Sequence, residues 1–121
     1  MSQNSPRIGC AAVIRHKDTI LLGRRNKDPE RGKWVLPGGR VEFLEPLKVA
    51  LQREIREEIG IEIGIDNIVG VYELINPPHN HGVIIYWWAD YVSGNPIPSS
   101  DISECAFFPN GKFRIFLAGI K

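Results

Sequence analysis

Residues 39–61 read GRVEFLEPLKVALQREIREEIGI, and their apolar spacing predicts a helix over residues 46–59. The apolar positions fall on one side of such a helix: Leu47, Ala50, Leu51 and Ile55. Segments typical of β-strands stand on both sides of this stretch. One strong helix between strands predicts a mixed α/β sandwich around a largely buried sheet.

The ends of this helix follow ordinary capping preferences except at the N-cap position. Pro46 suits the first helical turn, and Gly60 suits the stop. Glu45 would then be the N-cap residue, a position that glutamate does not favour. Its presence there needs another reason, and a functional role is one.

Three carboxylates, Glu54, Glu57 and Glu58, project from one face of the helix because they are three and four residues apart. Each such like-charge pair costs roughly 0.2–0.5 kcal/mol. A divalent cation would turn this cost into binding, and Mg²⁺ combines carboxylate ligands with water and substrate phosphates. The alternative is a solvated acidic face balanced by Arg53 and Arg56.

Arg53 lies beside this face, where its planar guanidinium could pair with Glu45 or Glu57. Such a pair would fix the orientation of the metal ligands. We therefore count Arg53 among the predicted catalytic residues.

The whole stretch resembles the Nudix box: Gly, five residues, Glu, seven residues, Arg-Glu, aliphatic, any residue, Glu-Glu, any residue, Gly, aliphatic. Every fixed position fits: Gly39, Glu45, Arg53, Glu54, Ile55, Glu57, Glu58, Gly60 and Ile61. A chance match at a given start is on the order of 10⁻⁹ to 10⁻¹⁰ from background residue usage. The flanking segments, GRR, KWVLPGG and a strand-rich second half, also follow the family's order, so the resemblance covers most of the chain.

The resemblance implies an α/β/α sandwich with a mixed β-sheet, here a single domain over residues 1–121. It also implies that Glu54, Glu57 and Glu58 bind Mg²⁺, or Mn²⁺ in its place, together with the backbone carbonyl of Gly38. The reaction it implies is hydrolysis of a pyrophosphate bond. A metal ion would neutralise charge on the phosphates and activate water.

The general base in family members is a glutamate at the position of Glu54 or a carboxylate from a later loop. Asp101 and Glu104 stand in that later part of this chain, and each is either an extra carboxylate near the metals or a surface charge. The sequence leaves the identity of the base open.

Four residues are predicted to contact substrate. Arg25 resembles a family arginine that contacts phosphate or nucleotide, although a solvated charge at a strand end is equally consistent. Trp34 could stack on a base or pack in the core. Pro77 lies about sixteen residues beyond the box, as in ADP-ribose pyrophosphatases, but ordinary loops also contain proline. His81, like His79, either serves the substrate or is simply exposed in this loop.

The leading substrate class is therefore ADP-ribose or another nucleotide sugar. A nucleoside triphosphate cleaved to monophosphate and pyrophosphate is the alternative. A third hypothesis is a ligand-sensing module without catalytic activity, but such modules have usually lost box carboxylates or carry a DNA-binding domain. This sequence shows neither feature.

The chain departs from the family pattern in two places. Leu44 and Pro46 stand where Gly and Ser or Thr are frequent, which stiffens the entry to the helix. The segment after Phe108 is short, so the C-terminal helix is expected to be short or absent. A homodimer partner could then supply part of that layer.

Strands are predicted from runs of β-branched and aromatic residues between turn formers. They cover residues 9–14 and 19–22 as a hairpin, 34–36, 61–75, 83–92 and 105–108, followed by a final segment at 113–121. The strand at 61–75 is expected to break near Asp66 and Asn67, and the strand at 34–36 is expected to end at Pro37, Gly38 and Gly39.

The 121-residue composition is that of a globular protein, with 43% hydrophobic and 24% charged residues. A net charge of +1 favours neither a nucleic acid polymer nor an anionic membrane, so any anionic ligand must be held by a local arrangement. The family resemblance implies that this ligand is a small nucleotide. No signal peptide or membrane helix is evident, and a cytoplasmic location is expected. Cys10 and Cys105 are expected to be reduced packing residues.

Overall fold

The computed structural model describes residues 5–28, 30–78 and 80–110, in which one helix and seven strands are formed. These elements are β1 (Arg7–His16), β2 (Thr19–Arg25), β3 (Trp34–Val35), β4 (Gly38–Arg40), α1 (Leu47–Ile59), β5 (Glu62–Asn76), β6 (Asn80–Ser93) and β7 (Ile102–Pro109). The predicted hairpin of β1 and β2 and the predicted helix are both present.

The seven strands form one mixed sheet with β1 near its centre. The main order is β3-β2-β1-β6-β5, while β4 pairs with β1 and β7 pairs with β2. The β1–β6 pair is parallel, and the other pairs are antiparallel. The expected mixed α/β sheet is therefore confirmed.

Each face of the sheet carries its own apolar cluster, because alternate side chains of β1 point to opposite faces. Cys10, Ala12 and Ile14 pack under α1 with Leu51 and Ile55 of the helix. The opposite face holds a second cluster: Ala11, Val13, Ile20, Leu22 and Leu36. Both faces of β1 are thus buried, which holds β4 and its glycines in a fixed place beside it.

The start of α1 corrects one prediction. Pro46, with φ −62° and ψ 145°, is the N-cap residue and Leu47 begins the helix, so Glu45 is not the N-cap. At the other end, Gly60 takes the left-handed conformation, with φ 77°, and donates its N–H to the carbonyls of Ile55 and Arg56. Glycine is favoured there because a Cβ would strain this conformation.

One other prediction also needs correction. Strand β5 is continuous through Asp66 and Asn67, where its register against β6 shifts instead of breaking. The strand at β3 ends before Pro37, as predicted, and Gly38 and Gly39 begin a further short strand, β4, which pairs with β1 and was not predicted. The predicted segment at 113–121 and the short or absent C-terminal helix lie outside the described residues.

Both thiols have the environment expected of packing residues. Cys10 is buried, Cys105 is half-buried, and neither forms a disulfide. Cys10 lies in the cluster under α1, and Cys105 packs against it. Among the described helices, none is long and apolar enough to span a membrane.

Candidate active site

Arg53 is the centre of the carboxylate cluster on α1. Its Nε and Nη2 donate to the two Glu45 oxygens at 2.8 and 3.0 Å, and its Nη1 donates to Glu54 at 3.0 Å and to Glu57 at 2.9 Å. Nη2 also donates to the backbone carbonyl of Arg40 at 3.0 Å. All five N–H groups of the guanidinium donate hydrogen bonds, so Arg53 fixes the orientation of the cluster formed by Glu45, Glu54 and Glu57.

Glu45 therefore acts through Arg53. Its carboxylate also accepts the backbone N–H of Glu42 at 3.0 Å, and hydrogen bonding from Arg53 lowers its pKa to about 2. The carboxylate remains ionised at neutral pH and holds one edge of the guanidinium. This contact accounts for a glutamate just before the helix.

Two glycines of β4 allow the backbone to approach the carboxylates. A Cβ built on Gly39 would lie 2.2 Å from the carboxylate carbon of Glu54, and one on Gly38 would lie 2.0 Å from the carbonyl oxygen of Cys10. The N–H of Gly38 donates to Glu58 at 3.2 Å. Glycine is needed at both positions because any side chain would displace these contacts.

Burial makes ionisation of two of the glutamates unfavourable. The pKa of Glu58 is raised to about 7, chiefly by desolvation and further by the charges of Glu54 and Asp101, while the Gly38 N–H and Arg25 oppose the shift. The pKa of Glu54 is also raised, chiefly by burial and against the effect of Arg53. A nearby cation would offset both costs.

The loop before β7 is joined to the end of α1. The backbone N–H of Ile97 donates to the Ile59 carbonyl at 2.7 Å, and Ser99 donates from its N–H to the Glu58 carbonyl and from its hydroxyl to the Glu57 carbonyl. These bonds satisfy carbonyls that a helix end otherwise leaves unpaired. They also bring Asp101 close enough to influence the pKa of Glu58.

The sequence predicts the same alternatives for Asp101 and Glu104, but the two residues lie in different parts of the structure. Asp101 pairs with Lys27 at 3.0 Å on the side of Glu58. Glu104 pairs with Arg24 at 2.8 Å. By strand alternation, Arg24 lies on the face of Ile20 and Leu22, opposite α1, and its cross-strand partner Glu104 shares that face. The structure brings Asp101 to the cluster and does not bring Glu104 there.

The predicted substrate residues are spread around the site. Arg25, at the end of β2, is near enough for its charge to lower the pKa of Glu58. Trp34 packs with the second apolar cluster, edge-to-face on Phe108 with the ring centroids 5.0 Å apart. Pro77 is exposed at the tip of the β5–β6 hairpin, and His81 contacts Glu73 at 3.4 Å beside that tip. His79 lies outside the described residues.

Comparison with known proteins identifies this arrangement. The model of the NUDIX domain matches residues 4–118. The chain belongs to the Nudix family. A crystal structure of a MutT NUDIX hydrolase from Burkholderia pseudomallei superposes with a TM-score of 0.81 and 36% identity, covering 88% of this chain and 84% of that one. The expected Nudix α/β/α sandwich is therefore confirmed.

Curated Nudix relatives differ in the substrate that their names give. The ADP-ribose pyrophosphatase of Methanocaldococcus jannaschii is 33% identical over 104 residues, covering 85% of this chain and 62% of that protein. The putative 8-oxo-dGTP diphosphatase 2 of Mycobacterium tuberculosis H37Rv is 43% identical over 54 residues, covering 44% of this chain and 38% of that protein. The chain spans about half the length of the first curated relatives that it matches.

The donor set of this Nudix site suits a hard divalent cation. Glu54, Glu57 and Glu58 offer only carboxylate oxygens, and the first and last are shielded from water. Within the described residues, no three acidic, histidine or cysteine side chains are already gathered at metal-binding geometry. Arg53 holds Glu54 and Glu57, and the Gly38 N–H holds Glu58. Binding of a metal ion by all three glutamates would require their carboxylates to turn away from these partners.

Some features of this Nudix site could not be read from the sequence. The pairing of Asp101 with Lys27 and the docking of Ser99 on α1 join segments that are far apart in the chain. The only local signal was the polar loop around Ser99 and Asp101. The hydrogen bond between Gly38 and Glu58 was also missed, although the adjacent glycines indicated a close backbone approach.

Gly39→Ala is expected to lower turnover by at least about a hundredfold, because its methyl group would occupy the position of the Glu54 carboxylate. Steady-state rates and melting temperature should be measured together. Gly70→Ala is the matched control, since a Cβ on Gly70 meets no atom within 4 Å. Wild-type turnover in Gly39→Ala would contradict the placement of Glu54 against this glycine.

Proposed function

We propose that this protein hydrolyses the pyrophosphate bond of a nucleoside diphosphate linked to another group, using Mg²⁺ or Mn²⁺ held by Glu54, Glu57 and Glu58. The observation that carries this proposal is the half-buried pair of Glu54 and Glu58, set against Gly39 and Gly38. ADP-ribose or another nucleotide sugar is the favoured substrate class, supported by the name of the archaeal relative and by Pro77.

Each residue of the cluster has a part in this mechanism. When bound, the metal would supply the positive charge that stabilises the phosphates as negative charge develops and would promote ionisation of the attacking water. Arg53 and Glu45 orient the carboxylates, and the glycines allow close backbone approach. Glu54 or Asp101 accepts the proton of the attacking water; burial raises the pKa of Glu54, which suits it to this task. Arg25 adds positive charge beside Glu58 for a substrate phosphate.

The second candidate is a nucleoside triphosphate pyrophosphohydrolase, favoured by the mycobacterial relative's name. The carboxylate cluster serves either reaction, because both cleave a phosphoanhydride. The substrate must then be distinguished by residues outside the cluster. Arg25, Trp34, Pro77 and His81 are our proposed substrate contacts.

The two candidates predict different products. With Mg²⁺ or Mn²⁺, ADP-ribose should yield AMP and ribose 5-phosphate, whereas a triphosphate should yield a monophosphate and pyrophosphate. Purified protein should be incubated with nucleotide sugars, dinucleotides, dGTP and 8-oxo-dGTP, and the products separated by chromatography. We expect the largest kcat/KM with a nucleotide sugar. The Glu58→Gln variant, purified identically, controls for contaminating hydrolases.

Each other outcome has a definite meaning. Triphosphates turned over far faster than any nucleotide sugar would replace the favoured class with the second. Orthophosphate as the first product would place attack at the terminal phosphorus and contradict both. Binding of nucleotides without hydrolysis of any substrate would indicate a sensing module.

We also propose that the protein acts on small nucleotides in the cytoplasm. The two free thiols and the near-neutral charge support this view. Formation of a homodimer is part of the same proposal, and light scattering of the purified protein tests it.

A further inference from the structure

A groove of about 190 Å³ lies on the face of the sheet opposite α1, behind β4. The backbone of Gly39 lines this groove, and a Cβ on Gly39 would point to Glu54 on the other face, so strand β4 separates the two features. Arg7 at the start of β1 and Arg40 at the end of β4 also line it. None of the predicted substrate contacts includes either arginine.

The strand register explains the shape of this groove. Gly9 of β1 is paired with Arg40 on one side and with Ile84 on the other. Gly82 of β6 is likewise paired with Arg7 on one side and with Leu74 on the other. Cross-strand partners project to the same face of a sheet. Gly9 and Gly82 therefore form a floor without side chains, which separates the two arginines from the apolar side chains of Leu74 and Ile84.

The two guanidinium groups are a like-charged pair. Arg40 is opposite Gly9, two residues from Arg7, and the Cα atoms of such diagonal neighbours are about 7–8 Å apart. Both side chains are exposed, and neither forms an ion pair with an acidic residue anywhere in the described chain. Most of the other arginines among the described residues are paired, for example Arg15, Arg24 and Arg56. Two neighbouring arginines without an acidic partner can bind an anion.

We infer that Arg7 and Arg40 together bind a phosphate group of the substrate, with the organic group attached to that phosphate lying in the groove against Leu74 and Ile84. This inference rests on the proposed function and names the part of the site that recognises one of the two esterified phosphates of the pyrophosphate. Guanidinium groups suit the task because their N–H groups match phosphate oxygens in pairs.

Binding of AMP without metal separates this role from catalysis. Isothermal titration of the wild-type protein with AMP in EDTA should give saturable binding. Arg7→Gln and Arg40→Gln should each weaken it about tenfold, as expected for loss of one charge-assisted contact, and the double variant should weaken it further. Gly82→Ala should also weaken it, because its added Cβ enters the groove and lies 3.3 Å from the Arg7 carbonyl.

Arg31→Gln is the matched control, since Arg31 is an exposed arginine in the loop before β3 and contacts Asp28 at 3.6 Å. It should bind AMP as the wild type does. Melting temperatures should be equal or higher in the Arg7 and Arg40 variants, because each change removes a repulsion. Equal AMP affinity in the wild type and the double variant, or an equal loss in Arg31→Gln, would overturn the inference.

Kinetics distinguish failure of the groove from failure of the proposed function. If wild-type protein hydrolyses a nucleotide sugar, Arg7→Gln should raise KM more than it lowers kcat; an unchanged KM would reject the groove alone. If no substrate is hydrolysed but AMP binding still requires both arginines, the groove stands and the catalytic proposal falls.

Discussion

Glu58→Gln is expected to lower turnover about 10²- to 10⁴-fold while stabilising the metal-free protein at pH 8. The rate is expected to fall because the change removes a carboxylate that we propose as a metal ligand. The stability rises because the folded protein shifts the pKa of Glu58 from 4.5 to about 7, so ionising this side chain opposes folding. The contribution of Glu58 to stability is therefore fully present below pH 4.5 and is lost as the pH rises through 7.

The size of this effect follows from the same shift and amounts to about 3 kcal/mol above pH 7. Thermal unfolding in EDTA should thus show a higher melting temperature for Glu58→Gln at pH 8 and nearly equal temperatures at pH 4. Added Mg²⁺ should stabilise the wild type more than the variant, because a ligand that binds the folded state raises its stability.

Glu57→Gln should lose activity as well, but it should gain little stability because the Glu57 side chain is 58% exposed. Glu62→Gln is the control: this glutamate pairs with Arg56 away from the cluster, and its loss should leave turnover unchanged. Wild-type turnover in both the Glu57 and Glu58 variants would reject the metal site.

Arg53→Ala is expected to lower both kcat and the melting temperature. The change removes five donated hydrogen bonds and leaves Glu45, Glu54 and Glu57 without their shared counter-charge. Breaking a shielded ion pair is strongly destabilising, so we expect a decrease of about 5 °C or more. The loss in kcat should be about 10- to 100-fold, as for other residues that orient metal ligands.

Arg56→Ala is the matched control on the same helix, since Arg56 makes one exposed ion pair with Glu62. That change should shift the melting temperature only slightly and leave kcat intact. Arg53→Lys should restore part of the stability but little of the rate, because an ammonium cannot hold two edges of the cluster at once. A rise in KM alone, with kcat and stability unchanged, would instead make Arg53 a substrate contact.

The box helix and the mixed sheet could be predicted because their signals are local. The apolar spacing of Leu47, Leu51 and Ile55 specifies a helix, and runs of β-branched residues specify strands. The exact start of the helix was wrong because Glu45 turns to Arg53, a contact that capping preferences do not describe. The register shift near Asp66 was missed because it depends on pairing with β6.

The candidate site was partly predictable for the same reason. Glu54, Glu57 and Glu58 lie on one helix, so their spacing alone places them together. The positions of residues outside the helix could be known only from the fold. Asp101 and Glu104 are only three positions apart, yet Asp101 approaches Glu58 and Glu104 lies on the opposite face of the sheet. The pairing of Gly9 with Arg40 likewise has no local signature.

The attachment of Ser99 to the last turn of α1 has a consequence for shortened forms of this chain. The Ser99 hydroxyl reaches the Glu57 carbonyl from 42 positions later, and its N–H reaches that of Glu58. A fragment that stops before Ser99 would contain every residue of the box, but the carbonyl end of the helix would lack these partners. Truncation between the motif and Ser99 would therefore destabilise the turn of α1 that carries Glu57 and Glu58.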